Sequence, residues 1–270
     1  MRARPNHGQY PLIGPGDAPP FLLHNDQGTS PLLLVADHAS ARFPAAMRQL
    51  GLADWVLQHH VTWDIGSDLL TRCLAEQLDA PAILAGFSRL LIDPNRKLDD
   101  PSAVPQISDG IVIPGNQDLS EEQRILRVTS FFWPYHNAIA KRLADFQQQG
   151  VVPAMISVHT CTPVFAQVVR PWHIGVLWDK DPRIALPLMH YLRSIEGLCI
   201  GDNEPYSGRH PHDFTIDHHA EPAGLPHVAI EVRQDLVGDP TGAEKWATVL
   251  AGGLRGILAG DSLYTRFTSA

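Results

Sequence analysis

The sequence predicts an α/β sandwich with a mainly parallel or mixed central sheet. Two observations predict it. Short apolar runs alternate along the chain with amphipathic segments of helical spacing, a pattern typical of strands joined by helices. Runs such as PLLLVAD and AMISVH are apolar at successive positions, as strands are when helices cover both faces of the sheet. Together these patterns favour a sheet buried between two helical layers.

The elements of the first half can be predicted in order. Residues 1–30 are rich in proline, glycine and asparagine, so we expect an irregular lead-in over the surface. A strand is predicted in PLLLVAD, and an amphipathic helix begins near Asp64. The segments APAILAGF and SRLLID predict two short strands. The Pro- and Gly-rich stretch after them predicts a long loop, of a length that is commonly functional.

The second half continues the alternation. A long helical pattern starts at Ser120, a suitable N-cap, and Pro134 is expected to kink or divide it. Strands are predicted in AMISVH, HIGVLW, LCIG and HVAIEVRQ, and helices at about 182–195 and 240–259. No linker divides the chain, so we expect one domain over residues 1–270.

Composition excludes several functional classes. Of the 270 residues, 44% are apolar and 19% charged, which is typical of globular proteins rather than disordered chains. The formal charge of −8 disfavours nucleic-acid binding, which needs a basic face. The sequence shows no signal peptide and no 18-residue apolar run, and its three cysteines are widely spaced. We expect a soluble, cytoplasmic protein with a small-molecule partner and no membrane; the sequence leaves the oligomeric state open.

Polar side chains stand at the ends of the predicted strands. His38 follows LLLVAD, Asp93 follows RLLI, His159 follows AMISV, and Glu231 lies near the end of HVAIEVRQD. In open α/β sheets, functional groups gather beyond the carboxyl ends of the strands. We therefore expect these four side chains to converge.

Two histidines and a carboxylate are a common ligand set for a catalytic zinc. His38 and His159 are the candidate histidines and Asp64 the candidate carboxylate, with Glu231 as a base that accepts a proton from water. Each residue also has a structural interpretation. Asp64 suits a helix N-cap, the two histidines suit hydrogen-bonded strand ends, and Glu231 suits an ion pair with Arg233, two positions on.

Other histidines and a cysteine are weaker candidates. His60 stands four residues before Asp64, but the extended VTW between them argues against a shared helical face. His218 and His219 lie on a predicted helix, where surface or supporting positions are expected. Cys161 offers a thiol nucleophile, with a small packing residue as the alternative.

Arginines indicate the substrate class. Arg89 and Arg96 flank LLIDPN, and Arg209 lies in the polar segment DNEPYSGRHPHD. A guanidinium binds a carboxylate through two hydrogen bonds, so an acidic substrate is expected. The alternative for each arginine is an exposed charge or a salt bridge.

Several ordered segments resemble the N-formylglutamate amidohydrolase family over about residues 30–260. They are DHAS, HHVTWDIG, SRLLIDPNR, SDGIVIPGN, SVHT, RPWHIGVLW, GDNEPYSG and EVRQDL. Each motif alone is weak, but their number and order are specific. The resemblance implies a fold similar to zinc carboxypeptidases, a hydrolase-like three-layer α/β/α sandwich around a mixed central sheet. It also implies hydrolysis of N-formyl-L-glutamate to formate and L-glutamate in histidine breakdown.

The resemblance also implies residue roles at the metal. His38, Asp64 and His159 would hold Zn²⁺, with manganese or cobalt as alternatives, and Glu231 would be the catalytic glutamate. The carboxypeptidase signature has a metal-binding glutamate where this chain has Ala41, so Asp64 is an inferred substitute.

The resemblance extends to substrate binding. Asn95 and Arg96 resemble the Asn-Arg pair with which carboxypeptidases hold a terminal carboxylate, and Arg89 or Arg209 would hold a second one. Two alternatives remain open. One is an enzyme of the same scaffold acting on another N-acyl amino acid or a peptide, and the other is a catalytically silent dicarboxylate-binding module.

Overall fold

The computed structural model describes residues 10–209 and 214–268, and within them a seven-stranded sheet forms the centre of the molecule. The strands, including those of two small hairpins, are β1 (Phe21–His24), β2 (Leu32–Ala36), β3 (Ala82–Ala85), β4 (Ile107–Ser108), β5 (Ile111–Val112), β6 (Ala154–Cys161), β7 (Val164–Phe165), β8 (Val168–Val169), β9 (Ile174–Leu177), β10 (Ile200–Asp202) and β11 (His227–Arg233).

The sheet is mixed, as predicted. Its order is β1-β3-β2-β6-β11-β9-β10, while β4-β5 and β7-β8 form separate antiparallel pairs. The four central strands, β3, β2, β6 and β11, are parallel to one another. β1 is antiparallel to β3, β9 is antiparallel to β11, and β10 is parallel to β9. Four parallel central strands therefore end at one edge of the sheet.

Helices cover both faces of the sheet, which confirms the three-layer prediction. The α-helices of the described residues are α1 (Ser67–Gln77), α2 (Glu121–Arg127), α3 (Trp133–Gln148), α4 (Ala185–Arg193), α5 (Thr215–His219) and α6 (Pro240–Leu258). Among these residues every helix is too short or too polar to span a lipid bilayer.

Alternate residues of the central strands pack on opposite helical layers. Leu32 and Leu34 of β2 share an apolar cluster with Leu70 of α1 and Leu250 of α6. Leu33 and Val35 join Tyr135 and Ile139 of α3 on the other face. This alternation follows from the two-residue period of a strand and explains why β2 is apolar at every position.

The segment from Ser120 to Gln148 is divided in two, close to the predicted place. Ser120 caps α2 in a reciprocal arrangement with Gln123, as its sequence position indicated. A π-helical turn, Val128–Phe132, then separates α2 from α3. Because Pro134 has no N–H to donate, the regular hydrogen-bond pattern cannot continue through it.

Two local predictions differ from the structure. The strand predicted in SRLLID is wrong, since these residues form turns in which Ser88 Oγ donates to the Thr62 carbonyl at 2.7 Å and accepts from Leu90 N at 3.2 Å. Such local side-chain bonds compete with a strand ladder. Of the predicted lead-in, residues 1–9 lie outside the described residues, and Phe21–His24 form the edge strand β1.

Candidate active site and metal centre

The carboxyl edge of the sheet collects the predicted polar side chains. In the parallel pair of β6 and β11, Glu231 is the register partner of His159, so both side chains point to the same face. Asp37 and His38 follow β2 directly, and β2 pairs with β6. The sheet therefore brings together four of the polar groups that the sequence places at or beyond strand ends.

Three side chains form a cluster suited to a metal ion. One ligand atom each from His38, Asp64 and His159 lies within 4.8 Å of the others. Nδ1 of His38 is 3.3 Å, and Nδ1 of His159 3.1 Å, from the same oxygen, Oδ2 of Asp64. All three residues are buried. The structure thus assembles the His-Asp-His set that the sequence predicted.

The far nitrogen of each ring is held by a carboxylate. Nε2 of His38 lies 2.8 Å from Oδ1 of Asp93, and Nε2 of His159 lies 3.1 Å from Oδ2 of Asp37. A carboxylate only accepts, so each Nε2 carries the proton and donates it. Each Nδ1 faces Oδ2 of Asp64, so a metal ion bound between them would take the place of the Nδ1 proton, in the arrangement that metal-binding histidines adopt.

Asp37 is a fully buried carboxylate with several donors. Tyr135 Oη donates to it at 2.9 Å, Thr215 Oγ1 at 2.7 Å and Ser157 Oγ at 3.1 Å. Burial favours the neutral acid, but the hydrogen bond and charge of His159 outweigh it and hold the pKa of Asp37 well below its usual range. Asp37 therefore stays ionised and fixes the orientation of His159.

Asp64 is placed by the chain just before α1. Its N–H donates to the carbonyl of His38 at 3.0 Å, which ties the two candidate ligands together. The N-cap of α1 is Gly66, with no side-chain cap bond. Gly66 has a φ of 86°, and a Cβ there would collide with the backbone of Val237. Asp64 is therefore not the helix cap, and its carboxylate faces the two histidines.

The charges of the cluster match a divalent cation. Asp37, Asp64 and Asp93 bring three buried negative charges, and Arg89 brings one positive charge, 2.5 Å from Asp93 and 3.5 Å from Asp64. With both histidines neutral, as metal ligands must be, this set would carry two net negative charges, which a divalent cation would offset. The donors and the charge together fit a divalent metal ion such as zinc.

The histidines of the cluster have a strong affinity for positive charge. For His159, burial opposes protonation, but hydrogen bonds to Asp37 and Asp64 raise its pKa well above the usual value. For His38, burial and the charge of Arg89 oppose protonation, and Asp93 with Asp64 outweighs them, so its pKa is also raised. The carboxylates thus make the site attract a cation, whether a proton or a metal.

Glu231 lies beside the cluster and lines the same cavity. It is 8% exposed, so it is sheltered yet open to a bound molecule. Arg233, the predicted alternative partner, instead pairs with Asp235 at 2.8 Å. Cys161 is nearby, but burial and then the charge of Glu231 raise the pKa of its thiol to about 12. It is therefore a neutral packing residue, not a thiolate.

The cluster opens into a cavity of about 440 Å³. Its lining combines both charges with hydroxyl groups and one aliphatic side chain: His38, Asp64, Arg89, Asn95, Arg96, Asp100, Ser102, His159, Thr160, Leu177, Tyr206, Ser207 and Glu231. This volume lies in the range of about 300–1,000 Å³ typical of small-molecule sites.

The loop after β10 closes one side of the cavity with Tyr206 and Ser207. Its backbone lies directly on β9 and β10, because a Cβ at Gly175 or Gly201 would overlap the carbonyl oxygen of Glu204. The buried Arg170 holds Tyr206, with its guanidinium 4.9 Å from the ring centroid and a 2.9 Å hydrogen bond to the hydroxyl. Tyr206 lies in the motif GDNEPYSG, but sequence patterns predicted no role for it, since its contact with Arg170 joins distant segments.

Three of the four predicted substrate-binding residues line the cavity, and the fourth does not. Arg89 and Arg96 line the cavity, but Arg89 is bonded to Asp64 and Asp93. Asn95 also lines it, and its Oδ1 accepts the backbone N–H groups of residues 214 and 215 at 2.9 and 3.0 Å. Arg209 is exposed and is not part of the lining formed by the described residues.

The weaker histidine candidates lie away from the metal cluster. His60 contacts Asp109 at 3.0 Å. His219 pairs with His136 at 3.0 Å, in a supporting position as predicted, and His218 stacks on Phe214. Sequence reasoning missed the role of Asp37, although a charged residue ending the apolar run LLLVA was a signal for it.

A family model named N-formylglutamate amidohydrolase matches residues 30–237. The chain belongs to the N-formylglutamate amidohydrolase family. This confirms the resemblance seen in the motifs, and it indicates an enzyme that hydrolyses an amide bond.

Solved structures agree with membership of the N-formylglutamate amidohydrolase family. The gene product Atu2144 from Agrobacterium tumefaciens is 33% identical, with a TM-score of 0.86 over 90% of this chain and 96% of that one. N-formylglutamate amidohydrolase from Ralstonia eutropha JMP134 is 20% identical, with a TM-score of 0.65 over 88% and 97%, which supports the same fold. A comparison with curated protein sequences gave no match.

Proposed function

We propose that the protein is a zinc-dependent amidohydrolase that cleaves the C–N bond of N-formyl-L-glutamate, yielding formate and L-glutamate. The observation that carries this proposal is the convergence of His38, Asp64 and His159 beside Glu231. Family membership supports the reaction class. The three cysteines are unpaired, which supports a reducing, cytoplasmic setting.

His38, Asp64 and His159 would hold the metal through two Nδ1 atoms and one carboxylate oxygen. A zinc ion held there would lower the pKa of a bound water to about 7 and polarise an amide carbonyl. Asp93 and Asp37 keep both imidazoles in the tautomer that offers Nδ1. The protein thus supplies a preorganised ligand set and a cavity in which the substrate meets it.

Glu231 is the proposed general base and acid. Its carboxylate accepts a proton from the attacking water and then delivers it to the departing amine nitrogen. The guanidinium of Arg89, fixed by Asp64 and Asp93, lies beside the same site and would stabilise the negative oxygen of the tetrahedral state.

Arg96 is the proposed partner for a substrate carboxylate. It lines the cavity next to Asn95, and Nη1 of Arg96 donates to the Asn95 carbonyl at 2.9 Å, which orients the guanidinium. Because Arg89 is already bonded to two aspartates, we propose Arg209 for a second carboxylate only after movement of its exposed segment. A different N-acyl amino acid is a second candidate substrate, favoured by a cavity of about 440 Å³.

The test is release of formate from N-formyl-L-glutamate, measured with and without a chelator and alongside other N-formyl amino acids. We expect activity that the chelator removes and added zinc restores, with N-formyl-L-glutamate the best substrate. A better rate on N-formyl-L-leucine would support the second candidate. No formate from any of these compounds, in a preparation loaded with zinc, would favour a binding module instead.

Glu231→Gln provides the matched test of mechanism. The amide keeps the shape of the side chain and cannot accept a proton, so we expect turnover to fall about 10²- to 10⁴-fold with zinc content unchanged. Glu244→Gln, an exposed position on α6, is the control and should leave both unchanged. Full activity in the Glu231 variant would show that Glu231 is not the base.

A further inference from the structure

A second group of metal-ligating side chains lies outside the catalytic cluster. His59 and His60 follow a short 3₁₀ helix, Asp54–Gln58, and Asp109 lies at the turn between β4 and β5. One ligand atom from each of the three lies within 4.8 Å of the others. We propose that His59, His60 and Asp109 form a second divalent-metal site that fastens the β4-β5 hairpin to the His59–His60 segment.

The geometry needs only small side-chain movements to close around an ion. Nε2 of His60 is 3.0 Å from Oδ2 of Asp109, and the two imidazole rings have centroids 4.3 Å apart. Zinc bonds of about 2.0–2.1 Å to nitrogen and about 2.0–2.2 Å to oxygen place tetrahedral ligands about 3.3 Å apart. The separation of His60 Nε2 and Asp109 Oδ2 is close to that spacing, and the ligand atom of His59 lies within 4.8 Å of both groups.

The backbone presents all three groups in a defined way. Asp109 and Gly110 both have positive φ, 45° and 76°, as in the tight turn favoured by an Asp-Gly pair in a two-residue hairpin. The N–H of His59 donates to the carbonyl of Val56 at 2.9 Å, and Trp55 packs edge-on against its ring at 6.0 Å. The His59–His60 segment and the β4-β5 hairpin therefore face each other, although His59 and Asp109 are 50 positions apart in the chain.

The donor set determines which ions would bind. Two imidazoles and one carboxylate suit zinc, nickel and copper rather than calcium or magnesium. The side chains of His60 and Asp109 are 21% and 39% exposed, so water completes the coordination and the ion exchanges with solvent.

The site has a consequence for the cavity. Asp109 belongs to the connection that also carries Arg96, Asp100 and Ser102, all of which line the catalytic cavity. An ion joining Asp109 to the two histidines would limit the movement of this connection. It would act on the wall of the substrate cavity without touching the reacting atoms.

Metal stoichiometry tests the proposal in the full-length protein. After stripping with a chelator and dialysis against zinc, we expect two ions per chain in the natural protein and one in His60→Ala. We expect one zinc ion per chain in His159→Ala and none in the variant that carries both substitutions. The control, His190→Ala, replaces an exposed histidine on α4 and should hold two. Equal zinc content in the natural protein and His60→Ala would overturn the second site. A loss in His60→Ala but not in His159→Ala would leave it standing and reject the catalytic metal centre.

A local signal supplies the second measurement. In a His159→Ala background, Cu²⁺ bound at the second site should quench the fluorescence of Trp55, which packs on His59. We expect Asp109→Asn to raise the copper concentration needed for half-maximal quenching at least tenfold. Trp55→Phe should remove the quenching, and the circular dichroism spectrum of both variants should be unchanged. Quenching that is the same in the Asp109 variant would show that copper binds elsewhere.

Discussion

Two pairs of buried histidines lie close together and have opposite chemistry. His38 and His159 form the candidate metal centre, while His136 of α3 and His219 of α5 lie behind it, with Nδ1 of His136 3.0 Å from Nε2 of His219. All four are at most 8% exposed. Burial alone therefore does not distinguish a metal ligand from a structural histidine.

The difference lies in the hydrogen-bond partners. The first pair has a carboxylate on each Nε2, and the pKa of both histidines is raised. In the second pair, Nε2 of His136 donates to the carbonyl of Pro94 at 2.9 Å, so its Nδ1 accepts from His219. Burial, without a bonded carboxylate, lowers the pKa to about 4 in His136 and about 3 in His219.

The comparison shows how one residue type serves two purposes. Carboxylates around His38 and His159 create a site that attracts a cation. A carbonyl and a second imidazole around His136 and His219 create a neutral link between α3, α5 and the segment that carries Asp93. The charge of the neighbouring groups, more than burial, therefore determines whether a histidine pair attracts a cation.

Removing one histidine from each pair should give the largest contrast. His159→Ala removes a proposed metal ligand, so we expect loss of bound zinc and of turnover with the fold retained. His219→Ala should keep zinc binding and turnover. It should instead lower the unfolding free energy by about 1–3 kcal/mol, because Nδ1 of His136 loses its hydrogen-bond donor. Elemental analysis, activity and denaturant unfolding of both variants would measure this. A His219 variant that loses zinc would contradict the distinction.

Changing the carboxylate that orients His159 should have an intermediate effect. In Asp37→Asn the amide bears no charge and cannot accept all four hydrogen bonds, so His159 loses its fixed tautomer. We expect zinc affinity to fall about 10- to 100-fold. Thr215→Val removes one donor to Asp37, worth about 1 kcal/mol, and is the matched variant with a smaller effect. Competition with a chromophoric chelator would measure both, and equal affinities in the Asp37 variant and the natural protein would contradict this role.

The neutral pair predicts an effect of pH on stability rather than on metal binding. His136 binds its proton at about pH 4 in the folded state against 6.5 in the unfolded state, so between these values the unfolded state holds more protons. Stability therefore falls as pH decreases through this window, by about 3 kcal/mol for a shift of this size. His136→Gln can still donate to Pro94 but does not titrate. Its unfolding free energy, measured from pH 7 to pH 4, should decline less steeply, and an unchanged slope would show that His136 does not contribute.

Much of the fold followed from local patterns. Every strand of the parallel centre was predicted, because apolar runs such as AMISVH bury both faces in this architecture. The edge strand Phe21–His24 was missed, since it is short and its pairing with β3 is non-local. SRLLID was misread as a strand because an apolar run does not show that the Ser88 side chain ties it into turns.

The candidate site likewise combines residues that the sequence predicted with contacts that it did not. Sequence patterns were enough to predict the fold class, the family and the candidate set of His38, Asp64 and His159, because strand ends and motif order can be read along the chain. The three-dimensional packing was needed to show that Asp37 and Asp93 hold the far nitrogens, that Arg89 is ion-paired with two aspartates, and that Tyr206 reaches the cavity. Apart from the pair of Arg89 and Asp93, which are four positions apart, those contacts join residues tens to more than a hundred positions apart, and their geometry depends on packing that no local pattern encodes.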